Sequence, residues 1–258
     1  MSYREEFLSQ CLILDTETTS KHWETAEIIE LGFVIRENDN WTIFQDLHRP
    51  VKTPIPHKIE SICYITNKMV EDTTPFVDSA EEFQAVVDGY INGYLVAHNN
   101  VYDMNVLTNH SIDTSNHNWL CTYRLSKKLF NNMPDIEETN LPYLRFALAL
   151  DVPIEMHCHR AGNDSFMTGK LLEALVDLME SIGILDLEKP YGPQIVSWLA
   201  EPIIYSVMPF GKHKGIPMSE VPPSYWAWAM DKTDWFNESS DNYDPDLAAS
   251  IYAVLDPK

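Results

Sequence analysis

Positive charge is scarce in this 258-residue chain: 18 Lys and Arg stand against 39 Asp and Glu, a formal net charge of -21. Such a chain repels polyanions at long range, which excludes a general nucleic-acid coating protein. Any nucleic-acid chemistry must then be local, through cations that bridge acid to phosphate or through a small basic patch. Cysteine is sparse as well. Cys11, Cys63, Cys121 and Cys158 show no C-x-x-C spacing, which argues against a disulfide frame and for reduced thiols. Long apolar runs are missing. No window reaches the roughly 18–20 apolar residues of a membrane span, and Arg4, Glu5 and Glu6 stand where a signal peptide would need an apolar core. A cytoplasmic location with no membrane partner is expected. Repeats and low-complexity tracts are absent too.

What is present is enough apolar and aromatic side chain for a packed core, in one large domain or a domain of about 180–200 residues plus a small one. The chain is organised around Cys11-Leu12-Ile13-Leu14-Asp15-Thr16-Glu17-Thr18-Thr19. Four apolar residues in a row read as a buried strand. Residues i and i+2 of a strand share a face, so Asp15 and Glu17 present two carboxylates side by side at its end. Like charges on a buried strand are costly, and a hard divalent cation relieves the cost. A lone D-x-E is more often a solvated acidic turn, so support must come from elsewhere in the chain.

Downstream, Glu27–Val34 and Trp41–His48 read as strands around a turn at Glu37-Asn38-Asp39-Asn40, an antiparallel meander with the first strand innermost. Ile59–Ile65 reads as a short helix, with a second turn capped by Thr66. Ser79–Ile91 reads as a helix capped by Ser79, with Gly93 past its end. Tyr94–Ala97 and Trp119–Thr122 read as short strands, and helices are expected over Val101–Thr108, Tyr123–Phe130, Thr139–Leu150 and Ala161–Ile182. Strands followed by alternating strands and helices indicate a mixed α/β layer fold. Lys189-Pro190-Tyr191-Gly192-Pro193 is a linker signature, and a short helix is expected over Gln194–Ala200. Beyond it come a strand and basic turn over Val207–Gly215, an aromatic helix over Pro222–Asp231 and a closing helix over Pro245–Leu255.

Two further clusters carry chemistry. His98-Asn99-Asn100-Val101-Tyr102-Asp103 delivers Asp103 to the first turns of a helix, where the dipole favours a carboxylate by a few tenths to about 1 kcal/mol. His159-Arg160-Ala161-Gly162-Asn163-Asp164 opens the longest helix. His159 and Asp164 converge only if the histidine sits in the loop before the helix. His157 is a rival to His159, but no cysteine or third histidine completes a zinc site at a usual spacing.

These three motifs, in this order, resemble the DEDDh branch of the DEDD 3′→5′ exonucleases, from about Leu12 to Met179. Ile65-Thr66 with Met69-Val70 resembles the family's I-T-x-x-M-V stretch. Pro209-Phe210-Gly211-Lys212-His213-Lys214-Gly215 and Val221–Trp228 are similar to the small module that follows the nuclease in the exodeoxyribonuclease X family. Ser20 and Cys63 depart from the family's usual Gly and His. The resemblance implies a ribonuclease H-like mixed five-stranded sheet flanked by helices over residues 1–185, a linker over 186–202 and a small C-terminal α+β module over 203–258. It implies two divalent cations, Mg²⁺ or Mn²⁺, held by Asp15, Glu17, Asp103 and Asp164, with His159 as general base. Thr16, Thr18, Ile65, His98 and Asn99 are expected to contact nucleic acid, and the Lys212 and Lys214 turn near Trp226 and Trp228 suits a single strand by charge and stacking. The expected reaction releases nucleoside 5′-monophosphates from DNA 3′ ends, single-stranded or frayed. An RNA-trimming enzyme of the same superfamily and an inactive binding or assembly module are the alternatives.

Overall fold

A computed structural model describes residues 2–37, 39–131, 133, 135–240 and 242–255. The elements in chain order are α1 (Tyr3–Ser9), β1 (Cys11–Thr18), β2 (Ile28–Glu37), β3 (Asn40–Leu47), α2 (His57–Cys63), α3 (Asn67–Val70), α4 (Phe76–Asp88), β4 (Tyr94–Ala97), α5 (Val101–Asn109), β5 (Asn118–Cys121) and α6 (Thr122–Phe130). They continue with α7 (Leu141–Ala147), α8 (Ala161–Ser181), α9 (Tyr191–Ala200), α10 (Pro223–Lys232) and α11 (Pro245–Leu255). Two compact units emerge: Met1–Arg124 with Glu138–Val196, and Leu125–Glu137 with Ser197–Lys258. Helix α9 occupies much of the stretch whose Pro and Gly content suggested a linker.

The first unit holds a mixed five-stranded sheet of order β3-β2-β1-β4-β5, the ribonuclease H-like arrangement expected. β1 is central because Cys11–Leu14 is apolar on both faces and fully buried, which only an interior strand permits. It pairs antiparallel with β2 and parallel with β4. Asn38 of the expected hairpin turn lies outside the described residues. Leu12 and Leu14 bury one face against Phe83 and Val87 of α4 and Val106 and Leu107 of α5. The other face is covered by α8, whose buried Met167, Leu171, Leu172, Leu175 and Val176 repeat at helical spacing.

Two features of this packing set up the acidic centre. The β1–β4 ladder ends at Ile13↔Val96, so β1 runs past its parallel neighbour. On the other side, Gly32 of β2 stands opposite Asp15. A Cβ there would lie 2.1 Å from both Ala161 C and Gly162 N, so the bare glycine lets the first turn of α8 settle directly on the sheet.

Several boundaries differ from expectation. Helix α4 begins at Phe76 rather than Ser79, because Pro75 enters it in an extended conformation and Phe76 is buried against Phe83 and His48. It ends at Asp88; Gly93 instead allows close approach to Gln10 O, 2.2 Å from where a Cβ would sit. Asn140 caps the shorter α7. In the second unit, the strand expected over Val207–Gly215 is a single bridge between Val207 and Pro217 around a 3-10 turn at Gly211–His213. Among the described residues, no helix is long and apolar enough to cross a membrane.

Candidate active site

Where β1 outruns β4, its backbone needs a partner. Asp103, 4 % exposed on the first turn of α5, supplies it: Oδ1 accepts from the Thr16 N–H at 3.0 Å and from Thr16 Oγ1 at 2.8 Å. That pins one carboxylate beside β1 while Asp15 and Glu17 project from the strand itself. The β1–β2 register shifts between Glu17 and Thr18, an irregularity of the kind that re-aims side chains beside functional sites.

Asp164 arrives from α8. Its Oδ2 accepts from the His159 N–H at 2.9 Å, which holds His159 at φ +65° in the loop before the helix. Asp164 Oδ1 is buried and has no hydrogen-bond partner among the described residues. One ligand atom each from Glu17, exposed His159 and Asp164 lies within 4.8 Å of the others. Asp15 and Asp103 stand outside that triplet but adjoin it electrostatically. Burial first, then the charges of Asp103, Asp164, Glu17 and Glu30, push Asp15 well above the ordinary carboxylate range. Glu17 rises to about 8, mainly by burial and then by Asp164, Glu30 and Asp103. Asp103 and Asp164 rise to about 7, each through burial opposed by the hydrogen bonds it accepts.

These shifts fix a sign. The unfolded chain loses these protons near pH 4, whereas the folded chain keeps them to about pH 7–8. Between those values the folded state binds more protons, so their contribution to stability is full below about pH 4 and is lost as pH rises through about 7–8. In EDTA, the melting temperature should fall between about pH 5 and pH 8.5, and Mg²⁺ or Mn²⁺ should restore more of it at the higher pH. Thermal melts across this range check it; a cation effect that does not grow with pH would contradict the shared acidic centre.

Two neighbouring residues escaped the sequence reading. Glu30, fully buried on β2, stands opposite Glu17 in the ladder. Arg160 bonds it through Nε at 3.0 and 3.1 Å and through Nη2 at 2.5 Å, and Ala161 N–H donates to Glu30 Oε2 at 2.8 Å. This pair anchors the start of α8 to the sheet between His159 and Asp164. Arg160 also partly offsets the upward push on Glu17. Arg145, buried on α7, donates to Met156 O at 2.5 Å and Pro153 O at 2.6 Å, bracing the loop that leads to His159. The only available signals were an acid within an apolar strand and a lone Arg beside a motif histidine.

The remaining expected residues divide. Thr16 and Thr18 are buried; Thr18 Oγ1 bonds Tyr102 OH at 2.5 Å and Ser20 O at 2.8 Å, tying the turn after β1 to α5. His98 bonds Thr122 Oγ1 at 3.0 Å, and burial lowers its pKa to about 4. Asn99 is exposed at φ +73°. Ile65 is a correction: it is 0 % exposed and packs with Ile29, Ile55, Cys63 and Val70, so its side chain is core and cannot meet a strand. His157 is exposed and outside the acidic cluster. Lys212 and Lys214 are exposed in the second unit.

The fold has known counterparts. The model of the RNase_T exonuclease family matches residues 12–172. A DNA polymerase III PolC-type from Clostridium perfringens is 27 % identical over 194 residues, covering 72 % of this chain and 12 % of the relative. A 3′-5′ exonuclease DinG from Bacillus subtilis is 31 % identical over 179 residues, covering 66 % of this chain and 18 % of the relative. The chain thus spans less than a fifth of the length of these two relatives. Among solved structures, exonuclease X in complex with 5′ overhanging duplex DNA is similar at 27 % identity and TM-score 0.52, covering 74 % of this chain and 99 % of the other. A zinc-bound complex of Escherichia coli exonuclease I with single-stranded DNA shares the fold at 13 % identity and TM-score 0.56, covering 68 % and 45 % of the two chains. The family match covers more than half of the sequence and contains Asp15 and Glu17 of β1 and the start of α8, so this chain is a member of the RNase_T exonuclease family.

Proposed function

We propose that this chain is a metal-dependent 3′→5′ exonuclease that hydrolyses DNA from single-stranded or frayed 3′ ends and releases nucleoside 5′-monophosphates. One observation carries the reading: four raised carboxylates from β1, α5 and α8 adjoin one another, with exposed His159 at their edge. Relatives named for 3′→5′ exonuclease activity and for a complex with DNA support the direction and the substrate class.

The residues present fit two hard divalent cations, Mg²⁺ or Mn²⁺. The donors are carboxylate oxygens, one of them the buried and unpartnered Asp164 Oδ1. Asp15, Glu17, Asp103 and Asp164 would hold the ions. When bound, such a pair neutralises charge on the phosphoryl group and stabilises the attacking and leaving oxygens.

The chain's own side chains do the rest. Asp103 is held by Thr16 and therefore needs no reorganisation to take up its role. His159 is exposed, so a water and a strand end can reach it. It takes the proton of the attacking water, a task suited to a group whose ordinary pKa lies near neutrality. The Glu30–Arg160 pair and the Asp164–His159 hydrogen bond fix the backbone that carries the imidazole.

Replacing His159 by Ala should lower the hydrolysis rate on the order of 10²–10⁴-fold, the usual contribution of a general base. Single-turnover digestion of a 3′-labelled oligonucleotide in Mg²⁺ measures it. An unchanged rate would remove His159 from the mechanism. Faster degradation of matched RNA than of DNA in the same assay would overturn the substrate assignment.

A further inference from the structure

The second unit has its own core of Ile203, Tyr205, Met208, Met218, Val221 and Trp226. Trp226 is 6 % exposed and belongs to that core, whereas Trp228, two residues on along α10, is 48 % exposed. Above the core lies a cleft of about 620 Å³ lined by Phe210, Lys212, His213, Tyr225, Trp228 and Trp235, among others. Tyr225 and Trp228 have ring centroids 5.3 Å apart at a 33° tilt, and Trp235 meets Trp228 near edge-on at 6.4 Å.

Its charge sets this cleft apart. In a chain with 39 acidic residues, no Asp or Glu among the described residues lines it. Four other clefts formed by the described residues each include a carboxylate: Glu24 and Glu27, Asp113, Glu71, and Glu180. Of the five lysines among the unit's described residues, three are already engaged. Lys128 bonds the carbonyls of Trp198 and Glu201, Lys127 lies over the Tyr205 ring, and Lys232 pairs with Asp231. Lys212 and Lys214 have no ion-pair partner among the described residues, and both are exposed. The turn that carries them is held by Gly211 and Gly215 at φ +73° and +80° and by two backbone bonds of 2.8 Å, from Met208 N–H to Ile216 O and from Gly215 N–H to Met208 O.

From this combination we infer that the cleft is a binding site for single-stranded nucleic acid, with a base stacked among Tyr225, Trp228 and Trp235 and the backbone phosphates on Lys212 and Lys214. Aromatic faces beside unpaired lysines are what sequence-tolerant single-strand binding requires. An acidic peptide would use the lysines but leave half-exposed Trp228 without a flat partner. The inference rests on the nuclease reading only for the substrate being a nucleic acid; the cleft binds with the acidic centre silent.

The test is fluorescence anisotropy of a labelled oligo-dT of about 20 nucleotides with the full chain in EDTA, beside hydrolysis of the same strand in Mg²⁺. Trp228→Ala is expected to weaken binding about 5- to 150-fold, the range for one stacked base. Lys212→Ala with Lys214→Ala should weaken it too and make the slope of log affinity against log salt shallower by about 1.4, as two phosphate contacts predict. The lysines are at the surface, so that variant stays informative if Trp228→Ala unfolds. Unchanged affinity and salt slope in the lysine variant, or displacement of the strand by polyglutamate, would overturn the site. Absence of hydrolysis by the unaltered chain, with its strand binding still lost in the lysine variant, would count against the proposed reaction and not against this cleft.

Discussion

Asp15→Asn should lose roughly 10³-fold or more in hydrolysis, since a metal clamp supplies several kcal/mol of transition-state stabilisation. The same change should raise the melting temperature in EDTA near pH 8. Asp15 is buried among Asp103, Asp164, Glu17 and Glu30, and each of these like charges pushes its pKa upward. Removing one charge relieves that repulsion, so activity and stability should move in opposite directions. A damaged core would lower both. Hydrolysis rates and thermal melts on the same preparation separate the two outcomes. Near-normal activity in Asp15→Asn would remove this residue from the site.

Gly32→Ala should do the reverse and destroy the frame. Its added Cβ would lie 2.1 Å from Ala161 C and Gly162 N, both backbone atoms that cannot swing aside. Either β2 or the first turn of α8 must move, at an expected cost of about 3 kcal/mol or more. Because His159 and Asp164 flank that contact, hydrolysis should disappear together with the cooperative melt. Gly183→Ala is the control: at φ +75° with nothing within 4 Å of the new Cβ, it should cost only about 1 kcal/mol. Chemical denaturation of the two variants measures the difference, and equal stabilities would show that the close approach at Gly32 is unimportant.

The parts of this fold that were legible in the sequence are those whose signal is local. Cys11–Leu14 is a continuous apolar run and forms the central strand. The apolar spacing from Met167 to Met179 gives α8 its extent, and Thr66 caps α3 as its side chain suggests, accepting from Met69 N–H at 3.3 Å. What could not be read depends on residues far apart in the chain. Glu30 looks like an ordinary strand residue until Arg160, 130 positions away, bonds it. Gly32 reveals its purpose only when α8 lies on it. Ser79 had the chemistry of a helix cap, but burial of Phe76 drew the helix start three residues earlier. Trp226 and Trp228 are equally aromatic, and only the packing of α10 sends the first to the core and leaves the second half exposed. Ile65 was misassigned for the same reason, since motif similarity carries no record of which face of a turn is buried.

The proposed reaction requires Asp15, Glu17, Asp103 and Asp164 to converge upon bound divalent ions. Anomalous diffraction at the manganese edge, from crystals grown with Mn²⁺ and a nucleoside 5′-monophosphate, tests it most directly. The expected map has two manganese peaks about 3.5–4 Å apart among these four carboxylates, beside His159. Manganese found elsewhere, or no peak there at saturating concentration, would contradict it.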